Sequence, residues 1–251
     1  MHKEKLYEQS LEKISAYFYK LESKIKRPEK IRYEDFYVYR YTDKNIFEAM
    51  VLKSARVVTT LKAIYMLNKI GFLQEQASLQ RVHDELTEDV LFLGYAVMFD
   101  KITEKHTRFL DAFFQEEVCI QKKKEFRPKS TLPRKKIRAY INSFDEDDPS
   151  SGIKAGQEIS HGYSGYVHGA SNHIMELYYG NPPYFHISGM RDSPFYEDHY
   201  EDLLNYFYRS ILNFAFVAKA LGDEQLFSDI HAYSKEFAIS SGEPERLSNF
   251  V

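Results

Sequence analysis

Residues 55–67, ARVVTTLKAIYML, place apolar side chains on almost every side of a helix. A helix with no polar face has to be enclosed by other elements, so this stretch predicts a central, buried helix. Thr42 or Asp43 is expected to cap it, Ile70 to end it and Gly71 to supply a left-handed stop. Arg56 is a permanent cation embedded in the apolar stretch.

The enclosing segments read as helices as well. Over residues 3–27, Leu6, Leu11, Ile14, Phe18, Leu21 and Ile25 recur at helical spacing up to Pro28. Residues 75–100 turn Leu79, Val82, Leu86, Val90 and Leu93 inward and Arg81, Asp84, Glu85 and Glu88 outward. Further helices are expected from Thr103 to about Gln121 and over 133–143. Ser193 with Pro194 opens another that runs to Leu221 and stops at Gly222, and Asp223 caps the last, to Ile239. The alternating IRYEDFYVYRY, residues 31–41, has no second good strand to pair with and reads as an extended arm. GNPPYFHISGMRD, residues 180–192, reads as a loop. The sum is an all-α helical bundle of seven or eight helices in one domain over 1–251. Residues 122–152, with Pro128, Pro133 and Pro149, form its hinge or crossover.

Composition narrows the functional classes. A single cysteine, Cys119, excludes an intrachain disulfide and a multi-cysteine metal site. No uninterrupted apolar run approaches the ~18 residues of a membrane span, and the N-terminus has charge where a signal peptide needs apolarity. A cytoplasmic protein with no membrane association is expected. The net charge of -3 gives no global reason for nucleic-acid binding, yet Lys122 to Arg138 contains nine Lys or Arg against Glu125 alone. Lys135 and Lys136 in that run are candidate phosphate contacts. The sequence has no Gly-rich phosphate loop after a strand, no G-x-S-x-G elbow and no His-Glu-x-x-His.

EISHGYSGYVHGASNHIMELYYG, residues 158–180, combines three histidines with four glycines. As one helix over 158–177 it gathers Glu158, His161, Gly165, His168, Asn172 and Glu176 on a polar arc opposite Ile159, Tyr163, Tyr166, Val167, Ala170, Ile174 and Leu177. Glycine in a helix costs about 0.5–1 kcal/mol relative to alanine, so Gly162, Gly165 and Gly169 point to close approach by another helix, a ligand or a nucleic-acid backbone. They also allow the segment to break into a short helix and a loop. His161 and His168 stand ~10 Å apart along such a helix, too far to share one metal. Glu158 and His161 have the Glu-x-x-His spacing of di-iron bundles, but no second such pair occurs in the chain. No metal and no cofactor is therefore expected, and a di-metal carboxylate bundle stands third among the readings.

YSGYVHGAS, Tyr163 to Ser171, resembles the L-S-x-x-V-H-G-S signature of a family of uncharacterised bacterial all-helical proteins classed as a domain of unknown function. The apolar helix with its embedded Arg56 is similar to that family's pattern too. The two segments cover less than a fifth of the chain, and Tyr163 and Ala170 depart from the signature's leucine and serine. The family is in turn similar to the HEPN class of helical domains of bacterial toxins and antiviral defence, in which an arginine and a histidine cleave RNA without metal. The HEPN spacing of that pair on one helix is not met here. Residue by residue the resemblance carries over Arg56, Ser164, Val167, His168 and Gly169 and implies an interior polar contact through which His168 organises the bundle; as a reaction site it makes His168, Arg56 and Ser164 the catalytic residues, with His168 taking a proton from a 2′-hydroxyl and Arg56 steadying phosphate charge. The polar arc and its glycines add His161, Asn172, Glu158, Gly165 and Gly169 as candidate ligand-binding residues, and the basic run adds Lys135 and Lys136. The alternative is a non-catalytic interaction or scaffold protein, a homo-oligomer, with a protein rather than RNA as partner.

Overall fold

A computed structural model of the chain describes residues 2–33, 35–115, 131–144 and 162–248, and shows an all-α bundle. α1 (His2–Glu22), α2 (Ile46–Ile70) and α3 (Leu73–Met98) are followed by α4 (Glu104–Phe113) and α5 (Arg134–Ile141). After helical residues 162–167 (α6) come the single turn α7 (Ser171–Ile174), α8 (Tyr196–Ala220), α9 (Glu224–Ser241) and α10 (Pro244–Ser248). Among the described residues no helix is long and apolar enough to cross a membrane.

α2 is the enclosed helix that its composition demands. Val57, Val58, Leu61 and Ile64 pack in one apolar cluster with α1, α8 and α9, and Ile46, Ala49 and Met50 in a second with Phe92, Phe109 and Ile137. α3 passes through both clusters, with Leu86 and Val90 in the first and Phe92, Leu93 and Ala96 in the second. The cap of α2 lies later than Thr42 or Asp43. Asn45 Oδ1 accepts from the Glu48 amide at 3.0 Å and the Glu48 carboxylate accepts from the Asn45 amide at 3.3 Å, a reciprocal box that no pairing from residue 42 or 43 provides. Thr42 and Asp43 accept from the Lys26 ammonium instead.

Two hairpins replace the expected arm and loop. β1 (Glu29–Tyr33) pairs antiparallel with β2 (Phe36–Arg40), so the second strand was inside the segment read as one arm. Charged residues at Glu29, Lys30 and Arg32 hid the alternation of the first strand. β3 (Tyr178–Gly180) pairs with β4 (Pro183–Phe185) in the same way. α3 is rotated from its expected setting: Asp84 is buried and Val82 exposed, because Asp84 has partners on α8. α8 begins at Tyr196, with the Ser193 hydroxyl accepting from the Phe195 amide before it.

The α2–α3 corner is docked tightly. Gly71 has φ +82°, and a Cβ there would stand 2.8 Å from the backbone nitrogens of Met190 and Arg191. The Met190 amide donates to the Gly71 carbonyl at 2.7 Å. Gly71→Ala combines left-handed strain with a backbone collision and is expected to cost about 2 kcal/mol or more. In a chain of this size that is a fall in Tm of roughly 4–8 °C, read by thermal denaturation followed by circular dichroism.

Candidate functional site

α6 and α7 lie where α3 and α8 face one another. On α3, Gln76, Gln80, His83, Asp84 and Thr87 are buried, and on α8 His199, Ser210 and Asn213 are buried with Tyr206. Their spacings of three and four residues put each set on one helical face, so two polar stripes meet inside the bundle. Arg209 Nη1 donates to Asp84 Oδ1 at 2.8 Å and the Tyr206 hydroxyl to Asp84 Oδ2 at 3.1 Å. Beside Tyr206, the Tyr163 hydroxyl of α6 donates to Asp202 Oδ2 at 2.8 Å. The Tyr166 hydroxyl donates to the Glu176 carboxylate at 3.0 Å, and its ring meets those of His173 and His199 edge to face.

The titrations in this network are set by burial. Desolvation, then the Asp202 and Glu176 charges, push the Tyr163 and Tyr166 phenols well above their ordinary range, and burial with Asp84 does the same to Tyr206. These phenols are donors at any physiological pH. Burial holds His83 down at about 3, with Arg209 adding to the effect, and burial also lowers His199 against the pull of Asp202 and Asp198. Both imidazoles are neutral at pH 7. His83 Nε2 lies 2.8 Å from Ser210 Oγ, whose single proton goes to the Tyr206 carbonyl at 2.7 Å. The imidazole therefore donates to the serine and leaves it without a base. Both residues are 0% exposed, so no reactant meets them.

The residues singled out from the sequence are spread over several surfaces. The expected single helix over 158–177 is corrected by the turn at 168–169, where Gly169 has φ +61°, and by a 3₁₀ turn at 175–177 after α7. A left-handed glycine ends a helix, so His168 and Asn172 do not continue one helical face. His168 and Asn172 are exposed and Ser164 is half-buried, its carbonyl accepting from the His168 amide at 3.0 Å. Gly165 lies directly against the His173 ring, which occupies the room a side chain would need. The approach implied by that glycine is thus made by an imidazole from the same segment. The Gln74 side chain donates to the His173 carbonyl, which ties α7 to the start of α3. Arg56 is exposed on α2, ~21 Å along the helix axis from Ile70. Lys135 and Lys136 are exposed on α5. Glu158 and His161 lie outside the described residues, and among the described residues no three His, Cys, Asp or Glu side chains form a metal-holding group.

Asp84, Asp202, Tyr206, Arg209 and the His83–Ser210 pair were missed as a set. The signal for them was the helical spacing of polar residues on α3 and α8, which two apolar-patterned helices do not need unless those faces meet. No family model, curated protein or solved structure matches this chain.

Two outcomes test the network. Asp84→Asn leaves the part-buried Arg209 guanidinium without its carboxylate and is expected to cost about 1–3 kcal/mol in urea denaturation. The folded-state pKa of His83 is depressed from 6.5 to about 3, so between those values the unfolded chain takes up a proton that the fold refuses. Stability from this group therefore falls as pH drops from 6.5 toward 3, by up to about 1.4 kcal/mol per pH unit. In His83→Gln, urea midpoints collected from pH 7 to pH 4 should follow a flatter slope.

Proposed function

We propose that this chain is a non-catalytic interaction protein that self-associates through the surface built by α6, α7 and the β3–β4 hairpin. One observation carries the reading: Val167, Ile174, Met175, Tyr178, Tyr184, Phe185 and Ile187 are all exposed large apolar side chains within a short stretch, Ile187 at 78%. Concentrated apolar exposure of this kind marks contact surfaces, whereas scattered single residues do not. The hairpin is stiffened from within. His186 stacks between Tyr179 at 3.6 Å and Tyr184 at 4.1 Å, and its Nε2–H donates to the Tyr179 carbonyl.

The surface carries little charge. Glu176 is held by Tyr166, and the other titratable groups between 167 and 187 are histidines and tyrosines. A two-fold interface places a patch against itself, which a charged patch resists and a neutral apolar one favours. The sealed His83–Ser210 pair and the protonated phenols fit an internal framework rather than a reaction centre.

Sedimentation equilibrium is expected to show a dimer at micromolar concentration, and Tyr184→Asp or Ile187→Asp to weaken it roughly 10–100-fold with little change in Tm. A wild-type chain that stays monomeric at about 100 µM removes this reading.

A second reading, an RNA-binding or RNA-cleaving protein of HEPN type in bacterial defence, is favoured by the solvent accessibility of His168, Arg56, Lys135 and Lys136. Its test is cleavage of labelled single-stranded RNA without metal, lost in His168→Ala. Intact RNA together with binding that does not weaken as salt rises removes it.

A further inference from the structure

The apolar contact surface has an imidazole set into it. His186 follows β4, half-buried, with exposed Phe185 and Ile187 on either side of it in the chain. Its ring is clamped between Tyr179 of β3 and Tyr184 of β4, at interplanar angles of 6° and 25°. The Tyr179 carbonyl, 3.1 Å from Nε2, can only accept, so the neutral ring keeps its proton on Nε2. Nδ1 is then the basic nitrogen. It has no hydrogen-bond partner among the described residues and stays open to water.

The titratable groups that bear on this ring are the phenols of Tyr179 and Tyr184 on its two faces. Burial, then Asp192 and Tyr184, raise the Tyr179 phenol, which therefore stays protonated. Asp192 acts on that phenol, and among the described residues no carboxylate lies within ion-pair distance of His186. Elsewhere on the surface Glu176 is held by Tyr166, His168 is exposed and His173 is packed against Gly165. Imidazole is the side chain whose ordinary titration falls between pH 5 and 8, so a proton on Nδ1 would charge the middle of the patch with nothing opposite to neutralise it.

We infer that self-association through this surface is switched by pH: His186 is neutral in the dimer, and uptake of a proton at Nδ1 separates the two copies. The inference rests on the dimer proposed above. A two-fold contact seats the patch on its own copy, so a charged His186 meets a second one in an interface poor in water, where neither has solvent or a counter-charge. The separated chains solvate the same charge through the open Nδ1. Protons are therefore bound by the monomer in preference to the dimer. Association is complete above the ordinary imidazole midpoint of ~6.5 and is lost as pH falls through it. With one proton per copy, the dissociation constant rises by up to about 100-fold for each further pH unit.

Sedimentation equilibrium of the full chain at pH 8, 7, 6 and 5.5 and one ionic strength tests it, with far-UV circular dichroism at each pH to follow the fold. A dimer at pH 8 that weakens at least about tenfold by pH 5.5, with helix content unchanged, is the expected result. His186→Gln keeps an N–H for the Tyr179 carbonyl and takes no charge. It is expected to dimerise at pH 8 and to hold its dissociation constant within about threefold down to pH 5.5. His168→Gln should keep the wild-type dependence. A second measurement leaves the stack intact: in the histidine-labelled wild-type chain, the His186 ring resonance should titrate at lower pH above the dissociation constant than below it. A chain that is monomeric at pH 8 removes the dimer and the switch with it. A dimer indifferent to pH, a dependence that survives in His186→Gln, loss of helix along with dissociation, or one titration midpoint at both concentrations would each overturn the switch alone.

Discussion

The Asp84 carboxylate lies in the interior between α3 and α8 and accepts from Arg209 and Tyr206 of the facing helix. Removing a carboxylate and a guanidinium from water is costly, and only good geometry with further hydrogen bonds compensates. Such a pair adds less to net stability than to uniqueness, because any slip of α8 along α3 would leave both charges unpaired. Around it the register of the two helices is repeated by Gln76 donating to the His199 carbonyl and by His83 against Ser210. Tyr163 reaches the same stripe through Asp202, so the placement of α6 follows from the α3–α8 register as well.

A second set of charges on α3 positions α5. Arg134 donates to Asp89 Oδ1 at 2.6 Å, Arg138 to Glu88 at 2.7 Å, and the Lys53 ammonium of α2 reaches Asp89 Oδ2 at 2.7 Å. Burial raises the Glu88 carboxyl, and Arg138 offsets only part of that. Two of the cations in the basic run are therefore consumed inside the bundle, while Lys135 and Lys136 on the opposite side of the short helix stay in solvent. The four cations of the run on α5 are thus divided by helical geometry into an internal pair and an external pair, and the linear sequence does not distinguish them.

Much of the helical framework was legible because its signals are local. Gly71 and Gly222 are left-handed stops where expected, with φ +82° and +74°, and the Asp223 side chain accepts from the Leu226 amide as the cap of α9. The two hairpins were not legible, because charged residues obscure the alternation of β1 and the Gly and Pro residues around β3 and β4 read as a loop. The candidate site was legible only in part. His168 and Asn172 are accessible as the polar arc implied, yet Gly169 breaks that arc and Gly165 makes room for His173.

By itself the sequence determined an all-α bundle around α2, because a helix with apolar side chains on nearly every side has one physical solution, enclosure by others. It also located the glycine stops at Gly71 and Gly222 and the Asp223 cap, whose chemistry acts within four residues, while the cap of α2 is Asn45. Tertiary structure decided which face of α3 is inward, since a buried aspartate is tolerable only where an arginine and a tyrosine from another helix meet it. It decided in the same way that Gly165 of the histidine segment makes room for the His173 ring. Those outcomes depend on partners more than a hundred residues away for Asp84 and on a neighbouring turn for Gly165, and the energy of burial is defined only once those partners are in place.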